Sequence, residues 1–295
     1  MRWGVAAVLL LCVASAGCVR RPTGTVGPTR YLVGAGYQAG GTWFYPKEDF
    51  HYDATGLASV LPDRGGVTVN GEARDATAMV AAHQTLQLPS IVRVTNLDTG
   101  ASALVRVNDR GPASAGRMIA LSPRAARLLG ISGTGRVRVQ VDEAQSQALR
   151  DQLNGGPRLT VAAAPRTGVQ SETLAPPSGV KQSSRGRSAG GPVAVQASAV
   201  EETARVPDRL PEVVEQGAAM PGQLVIRAGS FGQAQYAQRV AAQLSGIGAQ
   251  VGRVRDGRSE RFEVRAGPFG SVNAADAALD RALRAGVSDA RIVVE

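Results

Sequence analysis

The sequence predicts a mixed fold: a small β-barrel, a disordered linker, and an α+β domain of βαββαβ order. Three observations carry this. Residues 90–109, "SIVRVTNLDTGASALVRVND", are two alternating apolar–polar runs around an Asp-Thr-Gly turn, which reads as a hairpin. Residues 142–220 lose all periodicity and hold no aromatic residue. Finally, "RAGSFG" (227–232) returns as "RAGPFG" (265–270), each copy preceded by an apolar strand and followed by a helical stretch. A chain of 295 residues has room for roughly two such domains.

The N-terminus comes first. Arg2 precedes an apolar run, 3–17, that is too short to span a bilayer comfortably. Small residues and Cys18 follow, so residues 1–18 read as a secretory signal. "SAGC" (15–18) resembles a bacterial lipobox with Cys18 as the lipidated residue, although Ser15 replaces the usual Leu. Ordinary cleavage after "ASA" (14–16) is the alternative and would leave a soluble periplasmic protein. The only other cysteine, Cys12, lies inside the signal, so the mature chain holds no internal disulfide. The net charge of +9 calls for an anionic partner, and export excludes nucleic acid.

Residues 31–52 concentrate aromatics: Tyr31, Tyr37, Trp43, Phe44, Tyr45, Phe50 and Tyr52. From Asp53 to Ser230 there is none. The hairpin of 90–109 runs into "NDRGP", where Asn, Asp, Gly and Pro signal a turn. "SPRAARLLG" (122–130) predicts a short helix, with Ser122 as N-cap, Pro123 at the first position and Gly130 as stop. "GRVRVQV" (135–141) predicts another strand. Short strands with little helix indicate a small barrel.

Residues 142–220 are rich in Ala, Gly, Pro, Ser and Gln, the composition of a disordered linker with at most a brief helix at its start. Such a linker implies little interface between the flanking domains. In the C-terminal domain, Ala237, Val240, Ala241 and Leu244 form an i, i+3, i+4, i+7 stripe, as do Ala275, Ala278, Leu279 and Ala282. Strands near 249–255 and 290–294 complete a four-stranded sheet with both helices on one face. The other face is left open for a ligand.

Several signatures carry nothing. "GAGYQA" (34–39) fits a loose dinucleotide fingerprint, but "GGTWFYP" follows where a helix is required. His51 and His83 are the only histidines and lie apart from any thiolate, so no metal site and no cofactor are expected. No G-x-S-x-G elbow occurs.

Together the strings "VNGE" (69–72), "AAHQTLQLPSIVRVTNLDTG" (81–100), "VRVNDRGP" (105–112) and "RMIALSPRAARLLG" (117–130) resemble the rare lipoprotein A family of septal-ring lytic transglycosylases. The resemblance implies a double-psi β-barrel over 31–141 and a SPOR domain over 221–295. It implies cleavage of the MurNAc–GlcNAc bond in peptidoglycan strands stripped of stem peptides, leaving 1,6-anhydro ends. The implied setting is the periplasmic face of the outer membrane, enriched at the division septum, with divisome proteins as possible partners.

By matching motifs, the resemblance casts Asp109 as acid/base, Glu72 as its partner and His83 as the residue that orients or charge-balances them. Asn70, Asn108 and Arg110 would line the substrate site. On the SPOR sheet, Arg227, Ser230, Arg265 and Phe269 would meet glycan, although Phe231 and Phe269 read more readily as helix–sheet core. Without the resemblance, Glu72 and Asp109 are turn residues and His83 a helix residue bonded to backbone. Two departures matter. "ASVLPD" (58–63) replaces the family's "ASWYG", and Ala120 stands where an aspartate is usual. A glycan binder without catalysis and a purely structural wall-tethering lipoprotein are therefore rival readings.

Overall fold

The computed structural model describes residues 28–154, 206–256 and 259–295. The expected signal, Cys18 and the middle of the expected linker lie outside them. The leader begins with a small hairpin, β1 (Tyr37–Ala39) and β2 (Thr42–Phe44), turned by Gly40 and Gly41 at φ 57° and 81°.

The barrel strands are β3 (Asp53–Val60), β4 (Val80–His83), β5 (Ser90–Asn96), β6 (Ala101–Arg110), β7 (Ile119–Leu121) and, after helix α1 (Pro123–Leu128), β8 (Thr134–Val141). They bond in the order β4-β7-β3-β8-β5-β6, and β6 pairs back to β4. The result is the closed six-stranded double-psi barrel. β5 and β6 form the expected hairpin, with Gly100 at φ 81° in its turn. Its interior is built from small and β-branched residues, among them Ala58, Val94, Val105, Val107, Ile119 and Val139. Tyr52 packs against this core from outside the strands. In α1, Ser122 Oγ accepts from the Ala125 amide at 3.1 Å and donates to the Ala78 carbonyl at 2.6 Å, and Gly130 follows at φ 69°.

The ends of the expected linker are built into the barrel. Helix α2 (Glu143–Leu153) starts on an Asp142 cap and buries Leu149 and Ser146, whose hydroxyl bonds the Ile91 backbone. Val206 and Leu210 are buried in the barrel core, and β9 (Val214–Gln216) adds an edge strand to β6. The scattered Leu and Val of this stretch fill the barrel's flank without any sequence period.

The C-terminal domain comprises β10 (Leu224–Phe231), α3 (Ala234–Gln243), β11 (Gln250–Asp256), β12 (Ser259–Phe269), α4 (Val272–Arg284) and β13 (Arg291–Val294). The antiparallel sheet runs β11-β12-β10-β13, with the βαββαβ order expected. Ala275, Ala278, Leu279 and Ala282 are all buried on one face of α4.

The two domains touch, contrary to the expectation of little interface. Leu57 of β3 and Leu97 are buried within the C-terminal core cluster. Arg117 grips Asp276 of α4 through two contacts of 2.7 and 2.9 Å. Thr55 Oγ1 donates to the Val294 carbonyl at 2.5 Å, so the free edge of β13 is met by β3.

Candidate active site

The turn "NDRGP" sits at the end of β6, beside β4. Val107 pairs with Ala81 and Asp109 with Ala82, so one extra residue, Asn108, interrupts the register. This β-bulge decides where Asp109 points. Strict alternation would continue the buried Val105 and Val107 face and send Asp109 into the barrel. The extra residue turns it outward instead. On that outer face the register lines up Asp109, Ala82, Ala120 and Ser59 across β6, β4, β7 and β3. An aspartate at 120 would stand two strands, or about 10 Å, from Asp109; here the position is a buried methyl group.

Glu72 arrives from the loop between β3 and β4. The Thr68 amide donates to the Glu72 carbonyl at 2.8 Å and the Gly71 amide to the Thr68 carbonyl at 3.0 Å, closing a tight turn with Gly71 at φ 96°. The Glu72 carboxylate takes Arg106 Nη2 at 2.6 Å and Nε at 3.0 Å, Asn70 Nδ2 at 2.8 Å and Asn108 Nδ2 at 2.8 Å. Burial opposes its charge. The hydrogen bonds and charge of Arg106, with the two asparagine amides, outweigh that and hold the carboxyl below its ordinary value of 4.5. Glu72 is thus built to stay an anion.

Asp109 Oδ1 accepts from the Val69 amide at 3.0 Å and the Arg110 amide at 2.9 Å, and Oδ2 meets Arg74 at 2.8 Å. Its side chain is nearly buried, whereas Arg74 is 44% exposed. The Glu72 turn therefore also supplies one of Asp109's two amide donors, which brings Asn70, Glu72, Asn108 and Asp109 together.

His83 and Arg110 are placed differently. His83 stands in strand β4, not in a helix. Its Nδ1 accepts from the Thr85 and Leu86 amides, both at 3.2 Å, and Nε2 lies 3.2 Å from the Tyr52 hydroxyl. Burial, and secondarily the Arg110 charge, lower its pKa to about 3. It is a neutral imidazole with Nδ1 engaged in the turn after β4 and Nε2 beside the Tyr52 hydroxyl, and with no hydrogen bond to Glu72 or Asp109. The Arg110 guanidinium donates to the carbonyls of Leu86 and Val33 and so clasps the leader to the barrel.

Arg106 and Arg74 were not singled out from sequence. Arg106 occupies the polar phase of an alternating strand, and a buried guanidinium there requires a carboxylate partner. Arg74 carried no signal.

In the C-terminal domain, Arg227 and Arg265 are cross-strand neighbours. Both bind Glu263 and Glu295, at distances from 2.7 to 3.6 Å, so the four charges balance. Ser230 is exposed nearby in sequence, while Phe231 and Phe269 pack against the helix–sheet core.

Residues 52–141 match the family model described as lytic transglycolase, and residues 221–292 match the SPOR domain model. The chain is similar to the endolytic peptidoglycan transglycosylase RlpA of Pseudomonas aeruginosa (strain UCBPP-PA14), with 36% identity over 250 residues, 80% of this chain and 70% of that protein. It is similar to the protein of the same name from Vibrio cholerae serotype O1 (strain ATCC 39315 / El Tor Inaba N16961), with 53% identity over 79 residues, 26% of this chain and 30% of that one. Among solved structures, the RlpA SPOR domain from Pseudomonas aeruginosa aligns with 24% of this chain and 99% of that chain, at 24% identity and a TM-score of 0.23.

Proposed function

The chain belongs to the RlpA family of endolytic peptidoglycan transglycosylases, and on that premise we propose that it cleaves the MurNAc–GlcNAc bond of stem-free glycan strands, with Asp109 as acid/base and Glu72 as a fixed anion. The observation that supports this most is the convergence of the two carboxylates on one turn, through the β6 bulge and the Val69 amide. A glycosidic oxygen leaves only when protonated by a positioned acid. Asp109 gives its proton to that oxygen as the bond to the anomeric carbon breaks. The sugar's own 6-hydroxyl then attacks the anomeric carbon and returns its proton to Asp109. No water is consumed, so a single acid/base is enough and a second carboxylate at position 120 is dispensable. Glu72, kept anionic by Arg106, offers negative charge to the cationic transition state. Arg74 must leave Oδ2 for the substrate oxygen to reach it, and its exposure permits this.

Asp109→Asn keeps the size and the amide contacts but has no proton to transfer at neutral pH. Its rate of release of anhydro-ended products from stem-free glycan is expected to fall by about 10² to 10⁴ with an unchanged melting curve. Wild-type cutting by the variant overturns the assignment. If the wild type itself releases no such ends, the second reading applies: a glycan binder without catalysis, favoured by Ala120.

The SPOR domain carries the targeting part of the proposal. Stem-free strands at the septum are the ligand, met by the sheet face that presents Arg227 and Arg265, and a lipid on Cys18 holds the chain at the outer membrane. In the full chain, Arg227→Ala with Arg265→Ala is expected to spread a septal focus around the envelope in fluorescence images. Retained focus would move the contacts elsewhere on the sheet.

A further inference from the structure

The barrel that holds Glu72 and Asp109 has no aromatic side chain of its own, yet sugar rings bury their C–H faces best on flat aromatic surfaces. The leader hairpin answers this shortage. Trp43 is 56% exposed and Tyr45 is 70% exposed. Their rings lie nearly parallel, 19° apart, with centroids separated by 6.4 Å. Gly36 backs the Tyr45 ring so closely that a Cβ there would come within 3.0 Å of it. Tyr236, the other well-exposed aromatic among the described residues, sits instead with Arg239 over its ring.

The hairpin is fixed to the rim of the candidate site. The Arg30 amide donates to the Asn70 carbonyl in the Glu72 turn at 2.9 Å. Arg110, next to Asp109, clasps the Val33 carbonyl. The Tyr37 hydroxyl donates to the Gln84 carbonyl at 2.9 Å, and the Gln84 amide donates to the carbonyls of Pro112 and Arg117, at 3.0 and 2.9 Å, in the loop leaving Asp109. Gly40 packs against Ala113 in that loop, where a Cβ would come within 2.1 Å of the Ala113 carbonyl oxygen. Two exposed, nearly parallel rings, on a leader bonded to the Glu72 turn and packed on the loop that leaves Asp109, offer a flat apolar surface of the kind a sugar face covers.

We infer that Trp43 and Tyr45 form an N-acetylhexosamine-binding subsite, supplied by the leader, that extends the cleft beyond the bond cut at Asp109. This rests on the reading above that the chain acts on peptidoglycan glycan. Trp43 is the only tryptophan apart from Trp3 in the expected signal, so its fluorescence reports the subsite alone in the mature chain. Titrating the mature Asp109→Asn protein with amidase-stripped glycan oligosaccharides is expected to shift Trp43 emission in step with binding, while dextran leaves it unchanged. In the Asp109-intact enzyme, Trp43→Ala is expected to raise KM about tenfold with little change in kcat, and Trp43→Phe to restore most of the loss. Glycan binding with no change in emission overturns the proposal, as does an unchanged KM in the Trp43→Ala, Tyr45→Ala double variant. An emission response to a protein partner but not to glycan would do the same. If wild type makes no anhydro ends but emission still titrates with glycan, the subsite stands and the catalytic reading falls.

Discussion

Buried His83 and partly buried Glu72 respond to acid in related ways. His83 has a folded pKa near 3 against an ordinary 6.5, because it is buried and, secondarily, because the Arg110 charge lies near; its Nδ1 accepts two amides. Between those values the unfolded chain binds the proton and the folded chain does not. Stability is therefore full above pH 6.5 and falls on acidification, by about 1.4 kcal/mol per pH unit down to about pH 3. Glu72, held below 4.5, contributes stability that is present above that value and is lost as pH drops further. In urea titrations across pH 7 to 4, His83→Gln is expected to flatten the slope above pH 4.5 and leave the steepening below it. An unchanged slope would mean that another group carries the proton linkage. The same contacts make His83 a positioning residue for the turn after β4 rather than a proton carrier.

At the scale of elements, the Glu72 turn and the β6 bulge form one unit. The turn depends on Gly71 at φ 96°, which costs a residue with a Cβ about 1 to 2 kcal/mol. Gly71→Ala is expected to lower the melting temperature and, because the turn carries both Glu72 and the Val69 amide, to slow glycan cleavage more than the lost stability explains. Wild-type turnover at a temperature where the variant is fully folded would show that the turn need not be so exact. The bulge also explains why an Asp that reads as part of an alternating strand ends outside the barrel. Local alternation fixes the face of Val105 and Val107, but the register against β4 fixes that of Asp109.

For the whole molecule, the interface couples domains that composition had separated. Leu57 and Leu97 leave the outer face of the barrel and enter the C-terminal core, and Arg117 and Thr55 add polar contacts. Leu57→Asp places an unpaired charge in that contact. The variant is expected to have a larger radius of gyration by X-ray scattering and to melt in two calorimetric steps where the wild type melts in one. An unchanged radius and one transition would show that the contact contributes nothing to cohesion.

Some of this protein was determined by the sequence alone. The β5–β6 hairpin, the α1 caps at Ser122 and Gly130, the buried stripe of α4 and the βαββαβ order all rest on contacts within a few residues, where periodicity and capping chemistry act directly. "VNGE" and "NDRGP" likewise marked both carboxylates. The short strands β4 and β7 left too few residues to show a period, and the linker ends hid Leu149, Val206 and Leu210 in a composition that reads as disorder. Tertiary structure alone decided that Asp109 faces out, that Arg106 locks Glu72, that His83 serves a turn, and that the leader is bonded to the Glu72 turn. Each of these depends on a partner distant in the chain, and strand register, which sets such partners, is fixed by closure of the barrel rather than by any local run of residues.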